Sequence, residues 1–119
     1  MVRERFAAAM ASAGPLKTSL IVLHELLYGA EGHAHPLAQR ERVRLALGQV
    51  DVQPLDARDM LFAARARSSL KRHGLPIGAY DVLIAGQALA RDWTVVTANV
   101  REFARVPDLK VIDWTAPEA

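Results

Sequence analysis

Cysteine is absent from this chain of 119 residues. Disulfide bonds and thiolate zinc sites are therefore excluded, and any metal site has to use oxygen or imidazole ligands. Long apolar runs are absent too, since none approaches the ~18 residues of a membrane span. The amino end lacks the charged-then-apolar order of a secretion signal. These absences predict a cytoplasmic protein with no membrane segment.

A strong excess of charge of either sign is also missing. The net charge of +2 is too small to identify a nucleic-acid binder. Lys and Arg near the end of a helix are favoured by the helix dipole whatever their function, so a solvated surface is the favoured interpretation of the local basic clusters. A surface that follows the phosphates of a nucleic acid is the alternative for the second cluster. The first cluster is Arg40, Arg42 and Arg44, and the second is Arg65, Arg67, Lys71 and Arg72.

The remaining composition, 51% hydrophobic and 24% charged, is that of an ordinary globular domain. We expect a single domain over residues 1–119. The apolar periodicity predicts helices that alternate with short buried strands, which is typical of an α/β fold with a parallel sheet. The helices are predicted at residues 3–11, 23–30, 37–50, 56–73 and 82–90, and the strands at 17–22, 50–54, 94–97 and 111–113.

Asp81 stands directly before the apolar segment VLIAGQALA, and no Lys or Arg lies between Gly74 and Ala90. Burying an unpaired carboxylate costs several kcal/mol, so a metal, a cation or a donor network is expected beside it. Asn99 and Glu102 follow the predicted strand 94–97. Chemistry in such sheets collects at the carboxyl ends of the strands, so these groups are expected to converge there.

Glu25 is a second carboxylate in apolar surroundings, and its predicted place is the first turn of helix 23–30. Two acids at helix starts near strand ends indicate an oxygen-ligand site for Mg²⁺ or Mn²⁺. Other interpretations stay open. Asp81 and Asn99 could cap their helices, Glu25 could be favoured only by the helix dipole, and Thr97 could bond a phosphate or the backbone.

The blocks VRERF, LHELLYGAEG, PIGAYDVLIAGQALAR and VTANVREFARVPDLKVIDW resemble, in this order and spacing, the PIN-domain ribonucleases, specifically the VapC-type toxins. The resemblance implies a PIN-like three-layer fold with a central parallel sheet flanked by helices. It implies that Glu25 and Asp81 are the second and third acidic metal ligands. Asn99 would take the fourth place and hold a metal-bound water or a phosphate oxygen, with Glu102 as its neighbouring acid.

The amino end departs from that family pattern, which begins with a hydrophobic strand ending in Asp-Thr-Asn, followed by a short helix. This sequence opens with MVRERF instead. The resemblance therefore implies a truncated domain without the first strand, the first helix and the first catalytic Asp. Since that strand occupies the middle of the family's sheet, its core hydrogen bonds would be lost as well.

The resemblance further implies Mg²⁺- or Mn²⁺-dependent cleavage of RNA, possibly tRNA, by a homodimer that a cognate VapB-like antitoxin neutralises. The alternative is a non-catalytic, truncated PIN-like protein that keeps its antitoxin or dimer surface. A third interpretation is a metal-free α/β binding module, in which Asp81 and Glu25 are helix caps.

Overall fold

The computed structural model describes residues 9–11 and 16–113. This part of the chain alternates short strands with helices. In chain order the elements are β1 (Ala9–Ala11), β2 (Lys17–Ser19), α1 (Leu20–Glu31), α2 (Pro36–Ala46), β3 (Asp51–Gln53), α3 (Ala57–Arg72), α4 (Ala79–Arg91), β4 (Thr94–Thr97), α5 (Val100–Phe103) and β5 (Lys110–Asp113).

The strands form one sheet in the order β3-β2-β1-β4-β5. β2 pairs with β3 in parallel, and β4 pairs with β5 in parallel. β1 lies in the centre and is antiparallel to both of its neighbours, β2 and β4. The four outer strands therefore run in one direction and end at the same edge. The predicted α/β class is confirmed, with a central strand of reversed direction.

The predicted helix at residues 3–11 is wrong at its end, because Ala9–Ala11 is a strand; its remainder lies outside the described residues. Ala9 pairs with Val96, Met10 pairs with Val95, and Met10 also pairs with Lys17. The backbones of β2 and β4 need partners in the interior of the sheet, and this requirement overrides the helix propensity of alanine. The centre of the sheet is thus filled, contrary to the expected loss of its hydrogen bonds.

The predicted strand 17–22 and helix 23–30 meet earlier than expected. The strand ends at Ser19, whose Oγ accepts a hydrogen bond from the N–H of Ile21 at 3.1 Å and caps α1. This cap draws Ile21 and Val22 into the helix despite their β-branched side chains. Glu25 consequently lies in the second turn of α1 and not in the first, where the dipole acts most strongly.

The later elements follow the sequence closely. Strand 94–97 is confirmed, residues 82–90 lie inside α4, and strands 50–54 and 111–113 are found within one residue at most of their ends. Helix 37–50 is shorter than expected, since α2 ends at Ala46. Helix 56–73 is confirmed, with Asp56 as its N-cap. Asp56 and Asp59 exchange bonds in a capping box, where each carboxylate accepts the other's backbone N–H at 2.9 and 3.0 Å.

α4 is the central helix of the core and packs closely against α3. A Cβ added at Gly86 would come within 2.5 Å of the backbone N and Cα of Ala63, so only glycine allows this approach. The core around α4 contains Val22, Leu26, Ala66, Leu70, Val82, Ile84, Ala85, Ala88, Val95 and Phe103.

In the described part of the chain, no helix is both long enough and apolar enough to cross a membrane.

The end of α4 is fixed by a buried ion pair. The carboxylate of Asp59, which is 1% exposed, accepts bonds from Nε and Nη2 of Arg91 at 3.2 and 2.7 Å. Arg91 also donates to the carbonyl of Pro54 at 2.7 Å and to the side chain of Gln53 at 3.2 Å. This fork raises the pKa of Arg91 and joins α3, α4 and the end of β3.

We expect Arg91→Met to lower the free energy of unfolding by about 3–5 kcal/mol, because it leaves the buried Asp59 carboxylate without its cation. Arg44→Met is the matched control, since Arg44 pairs with Glu41 at the surface, and it should leave the free energy of unfolding nearly unchanged. Urea denaturation followed by circular dichroism measures both. Equal, small losses for the two variants would contradict this role.

Candidate functional site

The candidate site lies at the carboxyl edge of the sheet, where α4 begins. Asp81 lies in the first turn of α4 and is 6% exposed. Gly78 is the N-cap residue and has no side chain with which to cap the helix. Its backbone N–H donates instead to Oε1 of Glu102, at 2.8 Å. An acid that follows β4 thus supports the start of the helix that carries Asp81.

Glu102 is held from its other side by Asn99. The side-chain Nδ2 of Asn99 donates to Oε2 of Glu102 at 2.7 Å. The backbone N–H of Asn99 donates to the hydroxyl of Thr97 at 2.9 Å, so the backbone interpretation of Thr97 is the one the structure has. Asn99 is the N-cap residue of α5, but its side chain makes no capping bond. Its amide orients Glu102 and leaves its own carbonyl oxygen as an acceptor.

The two acids of the site interact directly. A side-chain hydrogen bond from Asp81 lowers the pKa of Glu102, and the bonds from Gly78 and Asn99 and the charge of Arg105 lower it further, against an opposing effect of burial. The site therefore favours the ionised form of Glu102. Two adjacent carboxyl groups of this kind offer oxygen ligands to a divalent cation, whose charge offsets their mutual repulsion.

The segment before Gly78 is anchored by the same part of the chain. Arg105 donates to the backbone carbonyl of Pro76 at 3.0 Å. Glu102 bonds to Gly78 and Arg105 bonds to Pro76, so both side chains hold the same loop. The carboxylate pair thus rests on a loop with two side-chain anchors, which limits how far Asp81 can move from Glu102.

Glu25 lies on α1, the helix beside this region. It is half-buried, and the residue before it, His24, packs edge-on against Tyr80 with ring centroids 5.5 Å apart. Tyr80 directly precedes Asp81. The contact brings α1 against the first turn of α4.

The structure thus brings Asp81, Asn99 and Glu102 together, with Glu25 on the neighbouring helix. The sequence singled out Glu102 only as the acid beside Asn99, whereas it bonds to both Gly78 and Asn99 and interacts with Asp81. The signal that could have identified it is its spacing of three residues from Asn99, which puts both on one face of the short helix.

The oxygen atoms of this site suit a hydrated divalent cation. Within residues 9–11 and 16–113, no group of three or more His, Cys, Asp or Glu side chains lies close enough to hold a metal ion. Mg²⁺ is commonly bound through one or two carboxylates and keeps several waters. The paired carboxylates of Asp81 and Glu102, with the amide oxygen of Asn99, fit a hydrated Mg²⁺ or Mn²⁺ ion of this kind.

Comparison with known proteins identifies the family. The sequence profile of the family described as PIN domain matches residues 2–109. This chain belongs to the PIN-domain family. VapC proteins are among its relatives in the family. The chain is 36% identical over 113 residues to the "tRNA(fMet)-specific endonuclease VapC" of Salmonella typhimurium, an alignment that covers 95% of this chain and 83% of that protein.

Solved structures extend this likeness to the fold of the PIN domain. The DNA-bound VapBC of Salmonella typhimurium matches with a TM-score of 0.80 and 38% identity, over 82% of this chain and 74% of that one. VapBC-1 of nontypeable Haemophilus influenzae matches with a TM-score of 0.82 and 31% identity, over 97% and 85% of the two chains. The PIN-like fold expected from the sequence blocks is therefore confirmed.

We expect the stability difference between this PIN domain and its Glu102→Gln variant, both in EDTA, to shrink as the pH falls. The folded-state pKa of Glu102 is lowered. Its ionised form therefore stabilises the fold above the unfolded-state pKa of about 4.3, and this contribution is lost as the pH falls through the folded-state pKa. Urea midpoints measured across this range test the expectation, with exposed Glu31→Gln as the control. A difference that does not change with pH would contradict it.

Proposed function

We propose that this chain is the ribonuclease toxin of a VapBC toxin–antitoxin pair and cleaves RNA with the aid of Mg²⁺ or Mn²⁺. The observation that carries the proposal is the contact between Asp81 and Glu102 at the carboxyl edge of a PIN-domain sheet. Relatives at 31–37% identity are named as VapC ribonucleases or as a tRNA-specific VapC endonuclease, which supports the same chemistry.

The role of each residue follows from its position. Asp81 and Glu102 supply carboxylate oxygens for the cation. Glu25, which the family resemblance implies as a further acid, acts from α1 through the waters of the hydrated ion, since no three acids of the described residues lie close enough to hold a metal together. Asn99 orients Glu102 through its Nδ2 group and presents its amide oxygen to a metal-bound water or a phosphate. The Gly78 N–H keeps Glu102 in place.

A bound divalent cation would supply Lewis-acid chemistry, by lowering the pKa of a water and stabilising charge on the phosphate oxygens. The residues of the chain position that chemistry. The loop that carries Gly78 and the short helix α5 limit the movement of Glu102, and the core packing of α4 limits that of Asp81. Preorganised oxygen ligands of this sort cost little reorganisation during reaction.

The partners in the proposal are an RNA substrate, possibly tRNA, and a VapB-like antitoxin, and the chain acts as a cytoplasmic homodimer. The Salmonella relative named for tRNA(fMet) supports a tRNA as substrate. The structural neighbours that are VapBC assemblies support an antitoxin as partner. Dimer formation and cellular location are proposed from the family resemblance alone.

We expect the purified chain to cleave tRNA in the presence of Mg²⁺ or Mn²⁺ and to lose this activity in EDTA. Asp81→Asn, Glu25→Gln and Glu102→Gln should each lower the rate by at least about a hundredfold, because each removes an oxygen charge from the cation site. Cleavage of labelled tRNA resolved on denaturing gels measures the rates. Glu41→Gln, an exposed acid on α2, is the control and should keep wild-type activity.

Full cleavage by Asp81→Asn or Glu102→Gln would contradict the assignment of the site. If the wild-type chain binds an antitoxin but shows no cation-dependent cleavage, the alternative of a non-catalytic PIN-like interaction protein replaces the enzyme. If it does neither and Mn²⁺ leaves the NMR signals of Asp81 and Glu25 unchanged, the metal-free binding module replaces both.

A further inference from the structure

A cavity of about 290 Å³ lies between the last turns of α3 and the first turns of α4. Its apolar wall includes Leu70, Ile77 and Val82, and two cations, Arg67 and Lys71, contribute to the lining. These cations are four residues apart on α3, so their Cβ atoms lie about 5–6 Å from each other on one helix face. The cavity therefore offers two adjacent positive charges beside a small apolar surface.

Both cations are available to a ligand. In the described part of the chain, neither Arg67 nor Lys71 makes an ion pair or a side-chain hydrogen bond. Other cations are engaged: Arg91 pairs with Asp59, and Arg72 donates to the hydroxyl of Ser68 at 2.8 Å. The described residues around this cavity thus leave its charge without an ion-pair partner.

The helix dipole does not account for both positions. Its effect is confined to the last turn of a helix, and α3 ends at Arg72. Lys71 lies in that turn, but Arg67 lies more than one turn earlier. Arg67 is exposed at the cavity, where its guanidinium can meet a ligand of opposite charge.

The cavity adjoins the carboxylate site. Ala79, which lines the cavity, directly follows Gly78, the residue bonded to Glu102. Ala79 and Asp81 lie on different faces of the same first turn, so the cavity and the acid pair are separated by about one helix diameter, ~10 Å. Neighbouring phosphates of an RNA strand lie farther apart than the ~3.4 Å axial rise of a stacked duplex, so an RNA chain spans that distance in about three nucleotides or fewer.

We propose that Arg67 and Lys71 bind a backbone phosphate of the RNA within about three nucleotides of the cleaved bond. This inference rests on the proposed ribonuclease function. The acid pair repels phosphates, so a substrate held across it needs cationic anchors nearby. These two side chains are positioning residues that carry no chemistry of their own.

The test measures binding of a short, fluorescein-labelled single-stranded RNA by anisotropy over a range of salt concentrations, in EDTA so that no cation-dependent cleavage occurs. The Arg67→Gln/Lys71→Gln double variant should show a salt slope, log K against log[salt], that is smaller by about 0.7, the value for one phosphate that is no longer neutralised. Its affinity near 0.1 M salt should fall by at least about tenfold. The charge-matched control is Arg40→Gln/Arg42→Gln on α2, which should leave the slope unchanged.

A slope for Arg67→Gln/Lys71→Gln equal to that of wild type, or an equal loss in the α2 control, would overturn the inference. It would also be overturned if wild-type protein showed no salt-dependent binding to RNA. Polyglutamate serves as a second probe: if it binds as tightly as RNA and loses as much in the double variant, the cavity recognises an acidic protein segment and not RNA.

Cleavage kinetics separate this inference from the proposed function. With Mg²⁺ present, the double variant should raise KM for tRNA while kcat stays near the wild-type value. If wild-type protein cleaves and the variant keeps its KM, the cavity inference is wrong and the nuclease proposal stands. If RNA binding depends on Arg67 and Lys71 but no cleavage is seen, the nuclease proposal is wrong, and of the cavity inference only the phosphate contact stands.

Discussion

The ion pair between Arg91 and Asp59 is the constraint on which the arrangement of the fold depends. It is almost completely buried on the acid side, and the same guanidinium holds the backbone that leaves β3. One side chain thereby fixes the relative positions of α3, α4 and the sheet. Because α4 is a rigid helix of 13 residues, fixing its end also fixes its start, where Asp81 lies.

The close approach of α3 and α4 at Gly86 acts in the same direction. Together with the ion pair it holds the two helices at a fixed separation, and the cavity lined by Arg67 and Lys71 occupies the space left between their ends. The carboxylate pair and the basic cavity therefore share one rigid support, and an RNA strand would meet both in a fixed geometry.

Glu102 performs the corresponding task at the edge of the sheet. It joins the loop before α4 to the turn after β4 through its bonds with Gly78 and Asn99. Its lowered pKa favours its ionised form, so the site presents a negative charge to an entering cation.

Much of this was predictable from the sequence. The apolar run after Asp81 predicts α4, TVVT predicts β4, and Asp56 with Gly74 predicts the limits of α3, because these signals are local in the chain. The predictions failed where distant partners decide. The strand at Ala9–Ala11 depends on hydrogen bonds to β2 and β4, and the cap at Ser19 competes with an apolar run that also suits a strand. Asp59 gave no sign of its partner, since Arg91 lies 32 residues away.

The central claim is that Asp81 and Glu102 form one cation site. The most direct test is a structure determined from crystals of the protein that have been soaked in Mn²⁺, with anomalous scattering used to locate the metal. The account predicts an anomalous peak in contact with carboxylate oxygens of both Asp81 and Glu102, which is lost in Glu102→Gln. A peak elsewhere, or none at these two residues under conditions where the protein cleaves RNA, would contradict it.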